Sequence, residues 1–330
     1  MNDNYEVYLN YKKRVDDILA YSIDKKEPRS LYDPLKYVLE GGGKRIRPMM
    51  VIFSCEAVGG KPEDALNAAA ALELLHNFTL VHDDIMDNAD RRRGRKTIHK
   101  KWNDNVAILS GDHLIGLAYK YLLKTKSGRL NEIVKSFTEG IIEVCEGQSF
   151  DQEFEVRKDV TLDEYLKMIS KKTAKMLETS AIVGALIGNG NGELVENIRK
   201  YAANIGLAFQ ILDDLLDIMG NESQLGKKIG GDLVEGKKTY LLLKACEVIN
   251  DKKDKEKIES IIINNGLGKT HDDKIIEIKN IYEKYGVINS AQKEIEKYTM
   301  LADRHLNTLP AGEAKERLKW FSKMLMSRSF

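Results

Sequence analysis

No proline occurs between Pro62 and Pro310. A proline inside a helix removes a backbone hydrogen bond and collides with the preceding turn, so a run this long without one belongs to an almost wholly helical chain. Apolar residues recur along it at spacings of three and four, and alternating β-branched runs are few. The pattern predicts an all-α fold. A length of 330 residues would by itself permit two domains, but the helical character does not change along the chain, and one domain over residues 1–330 is expected.

Within this helical pattern one acidic arrangement occurs twice, as Val81-His82-Asp83-Asp84-Ile85-Met86-Asp87 and as Ile211-Leu212-Asp213-Asp214-Leu215-Leu216-Asp217. On a helix the first and last Asp of each trio are i and i+4, and the second and last are i and i+3, so three carboxylates crowd one turn. Like charges so placed lower helix stability, and a counterion restores it. Mg²⁺ suits such a turn, because it typically takes one or two carboxylates and completes its octahedron with water and phosphate oxygens. One Asp-Asp-x-x-Asp alone reads as a solvated helix end. Two of them, beside the apolar shoulders Ala71, Leu74, Leu75, Phe78 and Ile205, Ala208, Phe209, Leu212, favour carboxylates lining a cavity, where unpaired charge would be costly.

Lysine and arginine number 52 against 51 acidic residues, a net charge of +1, so no global field favours nucleic acid or an anionic membrane. Basic clusters must therefore act locally. Lys44, Arg45 and Arg47 follow Gly41-Gly42-Gly43 at a predicted helix start, where free backbone N–H groups favour anions. Arg91-Arg92-Arg93-Gly94 follows the first acidic turn, Lys171-Lys172-Thr173 lies in a helix predicted over 162–187, and a glycine-lysine loop carries Lys227, Lys237 and Lys238 after the second turn. His76 is i−7 from Asp83, on roughly the same face and about 10 Å away along the axis. The isolated Cys55, Cys145 and Cys246 read as buried thiols of a reducing cytosol. No apolar run reaches membrane-spanning length, and the N-terminus lacks the layout of a signal peptide, so a cytoplasmic protein is expected.

Predicted helices cover an amphipathic segment before Pro28, then 33–39 with Asp33-Pro34 as its start, 49–57, 63–87, 104–123, 130–154, 162–187, 195–218, and four more in residues 240–330. Gly147 to Asp151 reads as a break. Gly231-x-x-x-x-Gly236-Lys237 has the outline of a phosphate-binding loop, but Lys238 replaces the expected Ser or Thr and no strand precedes it. His271-Asp272-Asp273 lacks a third Asp and reads as a helix start.

Taken together, Gly42-Gly43-Lys44-Arg45-Ile46-Arg47-Pro48, both acidic turns, Arg92-Arg93-Gly94, Lys172-Thr173, Gly206 to Gln210 and the later lysines resemble the trans-type isoprenyl diphosphate synthases, the family of farnesyl and geranylgeranyl diphosphate synthases. The resemblance implies a single large helical bundle around a deep central pocket, usually a homodimer. It implies Mg²⁺, three ions per active site with substrate bound, at Asp83, Asp84, Asp87, Asp213, Asp214 and Asp217. Of these, Asp83, Asp87 and Asp213 would be the direct ligands, and with Lys172 and Lys227 they form the expected catalytic set. Arg92, Lys172, Thr173, Gln210, Lys227 and Lys237 would bind an allylic diphosphate, and Lys44, Arg47, His76 and Arg93 isopentenyl diphosphate. Phe78, followed by the small Thr79, lies about 7.5 Å before Asp83 along the helix and would limit chain length in the manner of archaeal-type short-chain enzymes. Geranylgeranyl diphosphate is the expected product, with farnesyl or a product of C25 or above as the alternative. Such proteins commonly carry proline after Arg-Arg-Gly-x, where this chain has Lys96 before Thr97, and the later lysine-threonine loop likewise has none after Lys238, which implies looser loops.

Other readings fit less of the chain. A helical metal phosphohydrolase built on His82-Asp83 leaves Asp213 to Asp217 unexplained. A non-catalytic partner subunit would have lost one acidic turn. A terpene cyclase usually mixes Asn, Ser and Glu in its second motif.

Overall fold

The computed structural model describes residues 3–220, 229–264, 266–268 and 272–327. Its elements are helices apart from one two-residue hairpin. They run α1 (Asp3–Ser22), α2 (Arg29–Leu39), α3 (Ile46–Ala57), a 3₁₀ turn (Pro62–Ala65), α4 (Leu66–Met86), β1 (Arg91–Arg92), β2 (Arg95–Lys96), α5 (Ile98–Lys101), α6 (Asp104–Leu122) and α7 (Leu130–Val156). Then come α8 (Leu162–Ile169), a π turn (Ser170–Ala174), α9 (Lys175–Ile187), α10 (Gly192–Met219), α11 (Gly231–Glu235), α12 (Tyr240–Val248), α13 (Lys252–Ile263), α14 (Asp272–Lys284), α15 (Val287–Asn307) and α16 (Glu313–Ser327).

Several expectations are corrected. The second helix begins at Arg29, not Asp33, so Pro34 lies inside it. Five helices, not four, occupy the described part of residues 240–327. Helix α7 continues through Gly147, which serves close packing and makes no break. Cys145 is exposed, whereas Cys55 is buried and Cys246 partly so. His271 and Lys227 lie outside the described residues.

The chain forms two compact units. The first comprises Met1–Glu139, Met176–Arg199 and Leu306–Phe321; the second comprises Gly140–Lys175, Lys200–His305 and Ser322–Phe330. In the first, α3 and α4 are apolar on nearly every side, as core helices are, and bury Met49 to Phe53, Ala68 to Leu72, Leu74 and Leu75. Small residues bring the helices close. A Cβ at Gly111 of α6 would lie 2.1 Å from His82 Nε2, and one at Gly184 of α9 would lie 2.1 Å from the Val51 carbonyl oxygen. Phe53 meets Phe321 edge-on at 5.5 Å.

The second unit packs Tyr165, Ile211, Leu215, Tyr240, Leu242, Ile258, Ile261, Tyr282 and Val287 into one core. Its helix starts are capped as their sequences dictate. Thr161 and Glu164 form a capping box at α8, and the Thr239 and Asp251 side chains accept from Leu242 N and Asp254 N at α12 and α13, each cap worth about 1 kcal/mol.

Candidate active site

In the first unit the site starts at the glycine loop between α2 and α3. Arg45 has a left-handed backbone, φ 50°, and turns its side chain inward. Its guanidinium donates to Asp16 Oδ1 at 2.7 Å and to Glu73 Oε1 at 2.7 Å, and reaches the Gly42 carbonyl at 3.3 Å. Glu73 is itself only 2% exposed, so this pair ties α1, α4 and the loop together and removing Arg45 would strand a buried charge. Arg45, grouped by sequence with the anion binders, therefore holds the loop and leaves anion binding to its neighbours.

Arg47 projects from the first turn of α3, and its Nε is buried with no hydrogen-bond partner. Burial, then the charge of Arg93, draws it below its ordinary value, against the pull of Glu73 and Asp83. His76 of α4 is in the same position. Its Nδ1 is buried and unpartnered, and burial, followed by Arg47, Arg93, Arg92 and Arg45, holds the imidazole well below its usual range. Arg93 is likewise lowered by burial and by Arg45 and Arg92. The Arg47 and Arg93 guanidiniums repel each other beside the neutral imidazole, a field that an anion would relieve.

Local backbone explains how Arg93 arrives there. Arg92 pairs with Arg95 across the hairpin, and both turn residues, Arg93 at φ 52° and Gly94 at φ 75°, are left-handed, the signature of a tight hairpin turn. The Arg93 guanidinium then donates to the Gly42 carbonyl. A Cβ at Gly43, φ 150°, would come within 2.9 Å of it, so that glycine makes room for this arginine. Lys44 is exposed on the same loop. Thr97, next to Lys96 where proline was expected, donates its hydroxyl to the Ala89 carbonyl at 2.7 Å and closes the hairpin loop.

The first acidic turn ends α4. Asp84 is buried and receives Arg92 Nε and Nη2, both at 2.8 Å, while Asp83 is partly exposed and Asp87 exposed. All three occupy the last turn or cap, where the helix dipole is negative and carboxylates are disfavoured. Phe78 is buried, edge-on to His82 at 4.7 Å, and Thr79 donates back to the His76 carbonyl.

In the second unit the π turn Ser170–Ala174 carries Lys172 and Thr173. It sits against two glycines. A Cβ at Gly147 of α7 would lie 2.3 Å from Lys172 N, and one at Gly206 of α10 would lie 2.5 Å from Ala174 Cα. Lys172 pairs with Asp151. Thr173 Oγ1 donates to Gln210 Oε1 at 2.9 Å, and Gln210 Nε2 donates to Asp214 Oδ1 at 3.1 Å. Asp214 is buried, with Oδ2 accepting from Tyr165 OH at 2.6 Å and from Tyr240 N at 2.9 Å. Burial pushes it up to about 6 despite those bonds. Asp217 Oδ2 accepts from Asp232 N at 3.0 Å, organising α11, and Asp213 is partly exposed. Lys237 meets Glu235 at 3.0 Å. Thus Lys172, Thr173, Gln210, Asp213, Asp214 and Asp217 are gathered in the second unit, and Arg47, His76, Phe78, Asp83, Asp84, Asp87, Arg92 and Arg93 in the first.

Sequence reasoning assigned no role to Glu73, Asp16, Asp151, Tyr165 or Asp232. None carries a spacing signal, since each meets its partner only through the tertiary fold. Among the described residues no three His, Cys, Asp or Glu side chains form a ready cage for a metal ion. The donors at both turns are carboxylate oxygens alone, which fits a hard cation completed by water and phosphate.

A family model described as Polyprenyl synthetase matches residues 28–283. The chain is 36% identical over 329 residues to a short chain isoprenyl diphosphate synthase of Methanothermobacter thermautotrophicus, covering 99% of each. It is 37% identical over 335 residues to a geranylgeranyl diphosphate synthase of Saccharolobus solfataricus, again over 99% of each. A solved geranylgeranyl pyrophosphate synthetase from Pyrococcus horikoshii matches with a TM-score of 0.92 and 37% identity, over 98% of this chain and 99% of that one.

Proposed function

Because this chain belongs to the polyprenyl synthetase family, we propose that it condenses isopentenyl diphosphate head to tail with dimethylallyl, geranyl and farnesyl diphosphates, releasing geranylgeranyl diphosphate. The single observation that carries the reading is the niche in which Arg47 Nε and His76 Nδ1 are buried without a hydrogen-bond partner, with Arg93 at its edge, beside an acidic turn at the unfavourable end of a helix dipole. Residues 1–330 act as one catalytic domain, in a cytoplasmic homodimer. Exposed Ile108 and Leu109 on α6 suit an interface with a second copy. Among the described residues no helix is long and apolar enough to cross a membrane.

Arg47, Arg93, His76 and Lys44 hold the diphosphate of isopentenyl diphosphate and fix its double bond against the allylic carbon. Arg92, Lys172, Thr173, Gln210, Lys227 and Lys237 hold the allylic diphosphate and neutralise the charge that grows on it as its C1–O bond breaks. Asp83, Asp87 and Asp213 would hold Mg²⁺, three ions with substrate present, and the metal would supply Lewis-acid stabilisation of that leaving group. Asp84, Asp214 and Asp217 support these ligands, two of them through the bonds to Arg92 and to Tyr165, Tyr240 and Gln210. The new C1–C4 bond takes its electrons from the isopentenyl double bond, and C2 then gives a proton to the departing diphosphate. No side-chain base is required. Phe78 and Thr79 set how much chain is accommodated.

Incubation with Mg²⁺, isopentenyl diphosphate and each allylic starter should yield a C20 product, and a C15 or a C25 or longer product would select the alternative chain length. Asp83→Ala should lose turnover by about 10³-fold with its helical circular dichroism unchanged. A fully active Asp83→Ala enzyme would overturn the proposal.

A further inference from the structure

Away from the acidic turns, the first unit contains a cavity of about 420 Å³ between the end of α1, the start of α2 and the last turns of α6, a size that suits a small organic ligand. Its wall carries Lys25, Lys120, Lys124 and His113 against one carboxylate, Asp24. Lys124 lies over the Tyr121 ring at 3.9 Å. Tyr32, Leu117 and Tyr121 form a buried apolar floor. His113 packs edge-on to Tyr32 at 5.6 Å, and its Nε2 is enclosed with no hydrogen-bond partner. Burial and the charges of Lys25 and Lys120 depress that imidazole, so the lysine field converges on it. A lysine in the last turn of α6 complements the helix dipole, but Lys25 comes from the α1–α2 linker and has no such reason to be there.

The neighbouring cavity, about 740 Å³, shares Asp24, Lys25 and Tyr32 but sets four carboxylates, Asp16, Asp24, Asp33 and Glu40, against five cations and so nearly balances itself. The smaller one keeps its positive excess. It is also open at Gly116, where an added Cβ would meet nothing within 4 Å.

We propose that the smaller cavity binds an organic phosphate, with the phosphoryl group held by Lys25, Lys120, Lys124 and His113 and the organic part lying on Tyr32, Leu117 and Tyr121. Charge-assisted hydrogen bonds from several ammonium groups suit a dianion, and the tyrosine floor suits a less polar remainder. The phosphate comes from a soluble ester or from an anionic lipid headgroup. Tyr21 on the cavity wall is 69% exposed and Leu123, beside Lys124, is 57% exposed, as a lipid source would use.

The test follows the histidine ring signals of the full-length protein, with His113 assigned by its loss in His113→Gln. Titration with sn-glycerol 3-phosphate, at ionic strength matched by sodium chloride, should shift the His113 ring saturably. Lys120→Gln/Lys124→Gln should weaken the response by about tenfold. Gly116→Leu should abolish it by filling the cavity, while its thermal midpoint holds or rises because leucine favours a helix over glycine. Co-sedimentation with phosphatidylcholine vesicles containing phosphatidic acid identifies the source. Binding to vesicles without a response to the soluble ester assigns the lipid, and the reverse assigns the free ester. A His113 ring unmoved by either ligand overturns the proposal, as does a shift reproduced by sodium chloride alone or one that survives in Gly116→Leu.

Discussion

His76 stays neutral in the folded chain because it is buried among arginines. An unfolded histidine takes up a proton near pH 6.5, so below that pH the unfolded state binds more protons and stability is lost as pH falls. Unfolding free energy should therefore decline from pH 7 to pH 5, and His76→Asn should flatten that decline; denaturant titrations at each pH measure it. An unchanged slope would mean that His76 is protonated in the folded protein. At this scale the sequence reveals which residues are charged and how they are spaced along a helix, which is why the helical placement of His76, Asp83 and Asp87 was legible. It does not reveal which way a guanidinium turns. Arg45 and Arg47 are two residues apart in one motif, yet Arg45 is consumed by Asp16 and Glu73 while Arg47 Nε is left without a partner. Only the left-handed backbone at Arg45 separates them, and arginine carries no propensity for it.

Helices were legible where apolar periodicity is strong, and their ends were not. The hydrophobic pattern runs unbroken from Leu162 to Ile187, so the π turn within it was invisible to periodicity, although such turns often mark functional sites. Its cause is tertiary, in the close approach of α7 and α10 through Gly147 and Gly206. An exposed helix gains about 1 kcal/mol when glycine becomes alanine. Here the sign should reverse. Gly147→Ala and Gly206→Ala each push a methyl into the backbone of the turn, and overpacking should cost about 1–3 kcal/mol. Displacement of Lys172 and Thr173 should also lower kcat/KM for the allylic substrate. Thermal denaturation with steady-state kinetics tests this, and alanine variants as stable and active as the parent would refute the packing role. On α4, Phe78→Ala should lengthen the product, as read by chromatography of the hydrolysed prenyl alcohols. An unaltered product profile would remove Phe78 as the limit, leaving it a core aromatic against His82.

For the whole molecule, the repeated acidic turn proved more informative than composition. A net charge of +1 excludes a general affinity for polyanions, yet each unit concentrates one acidic turn with its own cations, Arg47, Arg92 and Arg93 in the first and Lys172 in the second. If both turns serve one diphosphate, ligand and metal must stabilise the chain jointly. A ligand that binds only the folded state adds about 2.7 kcal/mol at a hundredfold excess over its dissociation constant. Mg²⁺ and inorganic diphosphate together should therefore raise the thermal midpoint by several degrees, and by more than the sum of either alone, because bare diphosphate meets the repulsion of six carboxylates and bare Mg²⁺ lacks phosphate oxygens to complete its shell. The same reasoning requires Asp83→Ala, in the first unit, and Asp213→Ala, in the second, each to abolish the synergy completely. Calorimetry of the three proteins with Mg²⁺, with diphosphate and with both would decide it. Loss of only half the effect in each variant would mean that the two turns bind separate ligands, and one shared diphosphate would have to be abandoned.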